Sequence, residues 1–205
     1  FASQKGGVGK SSLAEVLAGV LYYERGLPLL VVDCDHTQES FFKLRERERD
    51  LIESDAKLQA EMQAYFTQFG KPSYPILRSQ PEEALALVSE YLPKQGRGEQ
   101  LVIFDFPGHA STESLLRFSV EMDFILSPIE ADPQSLASSF AYARTIRDLG
   151  LGFEDARIED FFLLWNKINR SASTAVQDAF TAYAKEEGLS VLDSQIYHSV
   201  KIARE

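Results

Sequence analysis

The chain has 205 residues, of which 44% are hydrophobic and 25% are charged, a balance typical of globular proteins and not of disordered or fibrous ones. Its 21 Lys and Arg against 31 Asp and Glu give a formal net charge of −10, which argues against strong non-specific DNA binding. The single cysteine, Cys34, excludes an internal disulfide and an iron–sulfur cluster held by several cysteines of one chain. This length suits one domain over residues 1–205.

No apolar stretch approaches the roughly 20 residues that a membrane-spanning helix needs, and no basic-then-apolar leader opens the chain. We therefore expect no membrane association and a cytoplasmic location. Phe1-Ala2-Ser3 is typical of the end of a strand, so we expect that strand to begin before Phe1.

Short apolar runs alternate with helical patterns along the chain. The runs cover residues 29–32, 101–104, 124–126 and 161–165. They lack polar alternation, as expected of strands buried on both faces of a parallel sheet. The helical patterns cover about 10–23, 81–91, 112–120, 134–149 and 172–187. This alternation predicts an α/β fold with a doubly wound, mostly parallel sheet flanked by helices.

The segment at about 41–69 differs because it is highly charged and contains no Pro or Gly. One helical stripe carries Leu44, Leu51, Leu58, Met62, Tyr65 and Phe69. We predict a long charged helical segment here. It is either a surface for a partner or a solvated helix over the core, and the alternating charges of residues 45–50 favour the second interpretation.

A glycine-rich stretch lies between the first strand and the first helix. It reads Gln4-Lys5-Gly6-Gly7-Val8-Gly9-Lys10-Ser11-Ser12. This is the placement of a phosphate-binding P-loop, although the strict pattern has Gly where this chain has Gln4. Backbone N–H groups and the helix N-terminus would bind phosphate oxygens. The predicted nucleotide-binding residues are Gly6, Gly7, Val8, Gly9, Lys10, Ser11 and Ser12. Lys10 would contact the β- and γ-phosphates, and the Ser11 hydroxyl suits Mg²⁺.

The stretch from Lys5 to Ser11 resembles the deviant Walker A motif of the ParA/MinD family of ATPases, which has a second lysine early in the loop. Two further motifs resemble those of the family, namely Val32-Asp33-Cys34-Asp35 (D-x-D) and Val102-Ile103-Phe104-Asp105-Phe106-Pro107 (Walker B). The three motifs cover about residues 1–130. Asp33 to Asp35, Gln38 and segment 44–48 look closest to ParA-like proteins of conjugative transposons. The chain departs from the family at 36–38, where Pro-Gln is usual, and at Gly108, where a second Pro is usual.

The resemblance implies binding of ATP and Mg²⁺ and assigns roles to single residues. Asp105 and Asp33 would hold Mg²⁺ with Ser11, and Asp35 would orient the attacking water. Lys5 would reach across a dimer to the partner's phosphates and neutralise charge as an arginine finger does. The predicted catalytic residues are therefore Lys5, Lys10 and Asp35.

Asn166 follows the run 161–165, and its amide can pair with both a donor and an acceptor on adenine. Since the family often has Asn near this position, we expect an adenine contact. A turn-forming Asn is the alternative. Asn169 and residues 195–197 are further candidates for the base pocket. His36, His109 and His198 are scattered along the chain and do not suggest a metal cluster, and Cys34 is expected to be a buried apolar residue.

The implied function is that of a ParA-like ATPase that dimerises around two nucleotides and hydrolyses ATP slowly, as a switch in partition or maintenance of a mobile DNA element. A small DNA-binding partner protein would stimulate hydrolysis. DNA binding would be weak, and the protein would be located at the nucleoid only if it does bind DNA. The candidate DNA contacts are Lys167, Arg170, Lys201 and Arg204. The alternatives are a MinD-like positioning ATPase, for which the C-terminal tail is short, and a nucleotide-binding scaffold without hydrolysis.

Overall fold

In the computed structural model, which describes residues 1–35, 39–95, 98–108, 112–154 and 156–199, the strands form two parallel sheets of three strands. The chain divides into two compact units. We call Phe1–Ser12 with Phe106–Glu205 the loop unit, because it contains the glycine-rich stretch. We call Leu13–Asp105 the carboxylate unit, because it contains three of the predicted acidic site residues.

The sheet of the carboxylate unit has the order β2-β1-β3. Its strands are β1 (Leu29–Asp33), β2 (Ile76–Arg78) and β3 (Leu101–Asp105). All five residues of β1 are buried, as expected of a central strand between two neighbours. The register places Asp33 beside Asp105, so the two acids meet at the carboxyl end of the sheet.

Four helices accompany this part of the chain. They are α1 (Lys10–Gly19), α2 (Ser40–Ser54), α3 (Ala56–Phe69) and α4 (Pro81–Tyr91). Helix α1 begins in the loop unit and continues as a π-helical turn (Val20–Glu24). A 3₁₀ turn (Leu92–Gln95) follows α4. Aromatic rings from the π-helical turn pack against rings from α3 and from Tyr74 before β2. This packing holds α3 at one end, although none of its residues is fully buried.

The predicted helical segment at about 41–69 consists of two helices, α2 and α3, which meet at Asp55. Asp55 is extended, with φ −123° and ψ 106°, and its side chain accepts the N–H groups of Lys57 and Leu58. An Asp in this geometry is an N-cap, which ends one helix and starts the next. Leu51 is 61% exposed, so the apolar stripe is not buried along its whole length.

The loop unit contains the sheet β4-β5-β6, formed by β4 (Phe124–Ile129), β5 (Asp160–Ile168) and β6 (Ser190–Tyr197). Its helices are α5 (Glu113–Val120), α6 (Pro133–Gly152) and α7 (Ala175–Glu186). The first residues of the chain are held by backbone hydrogen bonds: Phe106 N donates to Phe1 O at 3.0 Å, and Ala2 N donates to Leu126 O at 3.3 Å. This extended pairing agrees with the predicted strand end.

Among the described residues, the structure contains no helix that is both long and apolar enough to cross a bilayer.

Candidate functional site

The glycine-rich stretch has the backbone conformation that its glycines permit. Gly7 has φ 76° and Gly9 has φ 87°, values that side chains with a Cβ rarely adopt. A Cβ atom at Gly9 would also lie 2.6 Å from Asn166 Nδ2. Gly9 is therefore required both by its backbone angle and by the close approach of Asn166.

The chain that follows β3 lies against this loop. A Cβ atom at Gly108 would lie 3.3 Å from Gly6 Cα and 3.5 Å from Lys10 Nζ. A side chain here would be tight against the Gly6 backbone and would touch the side chain of the buried Lys10 at an ordinary van der Waals distance.

Lys5 forms an ion pair within its own chain. Its Nζ donates to Asp132 Oδ2 at 2.6 Å, and both side chains are half-exposed. The hydrogen bond raises the pKa of the Lys5 ammonium and lowers the pKa of the Asp132 carboxyl. Asp132 also caps α6, because it accepts the N–H groups of Gln134 and Ser135. Lys5 is thereby tied to the start of α6, and its action across a dimer stays a prediction.

Two consecutive residues of β5 contact the loop. Asn166 is buried, and its Nδ2 donates to Val8 O at 2.8 Å. The Lys167 ammonium donates to Gly7 O and forms an ion pair with Glu130 Oε1 at 2.9 Å. Sequence reasoning ended this strand at Asn166, whereas the structure continues β5 to Ile168 through an irregular register with β6. It also missed the contact of Lys167 with the loop, since no local pattern marks it.

The predicted adenine contact of Asn166 stays a prediction. The other base-pocket candidates are engaged with their neighbours: Asn169 Oδ1 accepts from the N–H and hydroxyl of Ser171, and Gln195 Nε2 donates to Tyr197 Oη at 2.8 Å. His198 N donates to Ile168 O, and this hydrogen bond extends the pairing of β5 with β6 by one residue.

The three predicted acidic site residues, Asp33, Asp35 and Asp105, lie at or just beyond the carboxyl ends of β1 and β3. Asp33 and Asp105 are buried next to each other in the sheet, and Asp35 is buried two residues later. The Asp33 carboxylate accepts the N–H groups of Asp35 at 3.1 Å, of Phe41 at 3.1 Å and of Phe42 at 3.3 Å. Asp33 therefore fixes the backbone that carries Asp35 and the first turn of α2.

Burial raises the pKa of the Asp33 carboxyl, while these backbone N–H groups work in the opposite direction. Cys34, between the two acids, is 1% exposed, and burial raises the pKa of its thiol, which stays protonated. This confirms that Cys34 is a buried small residue. Carboxylate oxygens are the ligands that Mg²⁺ prefers, so Asp105 and Asp33 fit the predicted metal role chemically.

Several residues named from the sequence lie outside the described part of the chain. They are His36, Gln38, His109, Lys201 and Arg204.

The whole chain, residues 1–205, matches the family described as the CobQ/CobB/MinD/ParA nucleotide binding domain. The chain belongs to this family. The match confirms the resemblance to ParA and MinD ATPases and the α/β fold with parallel sheets flanked by helices. Members of the family bind nucleotides and are in general P-loop ATPases. The match carries no information on a conjugative transposon.

Solved structures show the same fold. Apo McdA from Cyanthece superposes with a TM-score of 0.62 at 18% identity, over 99% of this chain and 86% of that chain. A plasmid partition protein from Borrelia burgdorferi gives 0.62 at 18% identity, over 99% and 91%. A chain of the MinC:MinD cell division protein complex from Aquifex aeolicus gives 0.63 at 14% identity, over 99% and 82%. At these identities the likeness shows the fold alone. No curated protein matches this chain.

Proposed function

We propose that the chain is one P-loop ATPase domain that binds Mg-ATP, dimerises around two nucleotides and resets by slow hydrolysis. The observation that carries the proposal is the loop, with Gly7 and Gly9 at positive φ and the Lys10 ammonium buried beside Gly108. A loop of this kind presents backbone N–H groups and one cation to a phosphate chain. Membership of a nucleotide-binding family supports this proposal.

In the proposed site, the backbone of Gly6 to Ser12 cradles the phosphates and Lys10 neutralises their charge. Ser11 and Asp105 are the residues that would hold Mg²⁺, which when bound neutralises charge on the phosphate oxygens. Asp33 already uses three of its roughly four acceptor positions on backbone N–H groups. Its main role is therefore to position Asp35, and its contribution to the metal is secondary.

Asp35 is the proposed group that orients the attacking water, as the family resemblance implies. Asp33 holds the backbone N–H of Asp35 and so fixes the backbone from which this side chain projects. Lys5 is the proposed cation that acts on the partner's nucleotide. In the single chain its ammonium is neutralised by Asp132 at 2.6 Å, so dimerisation has to exchange this carboxylate for the phosphates of the other subunit. A triphosphate carries more negative charge than one carboxylate, which favours the exchange when ATP is bound.

The biological task that we propose is partition or maintenance of a mobile DNA element, with a partner protein that stimulates hydrolysis. The likeness to a plasmid partition protein supports it. A MinD-like positioning role is the second candidate, supported by the likeness to a chain of the MinC:MinD complex. A DNA-binding partner distinguishes the first role, and recruitment to vesicles of anionic lipid by the full-length protein distinguishes the second.

Phosphate release measured against protein concentration tests the chemistry. If two subunits build each active site, the rate per subunit rises with concentration until the dimer is saturated. Asp35→Ala should bind Mg-ATP, run as a dimer in size-exclusion chromatography and release no phosphate. Lys185→Ala, which removes a half-exposed lysine from the same chain, is the control. Wild-type protein that binds Mg-ATP without releasing phosphate would instead indicate a nucleotide-binding scaffold.

A further inference from the structure

We propose that Lys167 is a positioning residue for the phosphate loop, by which we mean residues 4–12. Together with Asn166 it orients the peptide units Gly7–Val8 and Val8–Gly9 of this loop for nucleotide binding. The inference rests on the proposed function, because it concerns how that site is prepared before ATP arrives. It assigns to Lys167 a role in binding phosphate through the loop backbone, in place of the DNA contact expected from the sequence.

The contacts that carry this inference cross most of the chain. Asn166 reaches Val8 over 158 residues, and Lys167 reaches Gly7 over 160 residues. Both side chains bind backbone carbonyl oxygens of the loop and not its side chains. These bonds therefore act on the conformation of the loop whatever side chains it carries.

The geometry of the peptide bond gives the two carbonyl contacts a consequence. In a planar trans peptide, the C=O of one residue and the N–H of the next point in opposite directions. Binding Gly7 O therefore aims the Val8 N–H away from β5, and binding Val8 O does the same for the Gly9 N–H. Two adjacent donors are thus turned to the side of the loop that β5 does not occupy, where they can meet phosphate oxygens.

The backbone of Lys167 is adapted to this contact. Its φ is 54°, which is unfavourable for a residue with a Cβ. The neighbouring register of β5 with β6 is irregular between Trp165 and Ile168. An unfavourable backbone conformation that persists at a residue bound to a functional loop is typical of functional sites.

Glu130 completes the arrangement, since its carboxylate lies 2.9 Å from the Lys167 ammonium and fixes the direction from which it binds Gly7 O. Gly9 is the counterpart on the loop: only a residue without a Cβ allows Asn166 to approach so closely. With its ammonium held between Glu130 and Gly7, Lys167 is poorly placed to follow a DNA backbone.

The test compares Lys167→Met with Lys185→Met. Methionine keeps an unbranched side chain up to the ε-carbon and removes the ammonium. Lys185 is a matched control because it pairs with Asp193 at 3.8 Å outside the loop. Calorimetry should show Mg-ATP and Mg-ADP binding weakened about tenfold by Lys167→Met, the loss expected for a hydrogen bond from a charged donor. Lys185→Met should stay within about twofold of wild type, and Glu130→Gln should lie between the two.

A second readout separates positioning from a general loss of structure. In the nucleotide-free protein, the amide NMR resonances of Val8 and Gly9 should shift in Lys167→Met and stay in place in Lys185→Met, while both variants keep the wild-type melting temperature. If the wild-type protein binds Mg-ATP and Lys167→Met binds it with the same affinity, the inference is overturned. A loss of DNA binding by Lys167→Met without a loss of Mg-ATP binding also overturns it. If the wild-type protein itself binds no Mg-ATP, the proposed function fails and not merely this inference.

Discussion

Two segments of the molecule that carry predicted site residues are held in different ways. The first is the proposed phosphate loop, residues 4–12, which is held by Asn166 and Lys167 from about 160 residues further along the chain. The segment after β1 is held by Asp33, whose partners lie 2 to 9 residues away. In both segments side chains bind backbone groups, but only the second arrangement is local.

The difference has a physical consequence. Closing a short loop costs little conformational entropy, so the contacts of Asp33 can form as soon as β1 and α2 are in place. The contacts of Lys167 and Asn166 require β5 to be docked in its unit. We therefore expect the phosphate loop to depend on the integrity of β5 and the Asp35 segment to depend on one carboxylate.

The largest effect is expected for Lys10→Ala. Lys10 is 7% exposed and lies within the loop itself, so neither holding arrangement can replace its charge. The variant should lose Mg-ATP binding by at least about 100-fold in calorimetry, as expected when a charged contact to phosphate is removed from a buried site. Near-normal affinity would contradict the P-loop assignment.

Gly9→Ala tests the long-range contacts from the side of the loop. The new Cβ would lie 2.6 Å from Asn166 Nδ2, in addition to being strained at φ 87°. Gly26→Ala is a matched control, because Gly26 has φ 70° and nothing within 4 Å of the added atom. Both variants should lose stability, by about 1–2 kcal/mol from the backbone alone. Only Gly9→Ala should also weaken Mg-ATP binding, by about tenfold or more. Equal affinities would show that Asn166 does not hold the loop.

Asp33→Ala tests the local arrangement. It removes the acceptor for three backbone N–H groups, so the amides of Phe41 and Phe42 should exchange with deuterium about tenfold faster. Single-turnover hydrolysis should fall further than Mg-ATP affinity, since Asp33 acts through Asp35. If affinity falls and hydrolysis of bound ATP does not, Asp33 is a metal ligand first and a positioning residue second.

The smallest effect concerns the ion pair of Lys5 with Asp132. The hydrogen bond from Lys5 lowers the pKa of the Asp132 carboxyl in the folded protein. The pair therefore contributes fully to folding stability above the usual Asp pKa of about 4, and this contribution is lost as the pH falls through the lower pKa of the folded state. The stability of wild type should therefore decrease more on acidification below about pH 4 than that of Asp132→Asn. Parallel curves of unfolding free energy against pH would show that the pair contributes nothing to stability.

The sequence was sufficient for the parts of the fold that rest on local pattern. Strands β1, β3, β4 and β5 follow from uninterrupted apolar runs, and α4 begins at Pro81 as its pattern predicts. Two strands were not anticipated. β2 has three residues, and the eight residues of β6 include Asp193 and Gln195, so neither forms an apolar run.

The same distinction applies to the site. The glycine-rich loop and the acids at the strand ends are local patterns, and the family match supports their interpretation. The partners Lys167, Glu130 and Asp132 could not be found in this way, because only the folded chain brings them beside the loop. Asp55 was missed for another reason: its capping role is readable from the sequence, but the continuous apolar stripe around it favoured a single helix.

The central claim is that two subunits share each active site through Lys5, and a mixing experiment tests it most directly. Lys5→Ala retains Lys10 and Asp35, and Asp35→Ala retains Lys5, so one site of the heterodimer has every proposed group. Phosphate release from an equimolar mixture should clearly exceed the sum of the two variants alone. Heterodimers that form with Mg-ATP, as shown by a pull-down between differently tagged subunits, yet hydrolyse no more than that sum would contradict the account.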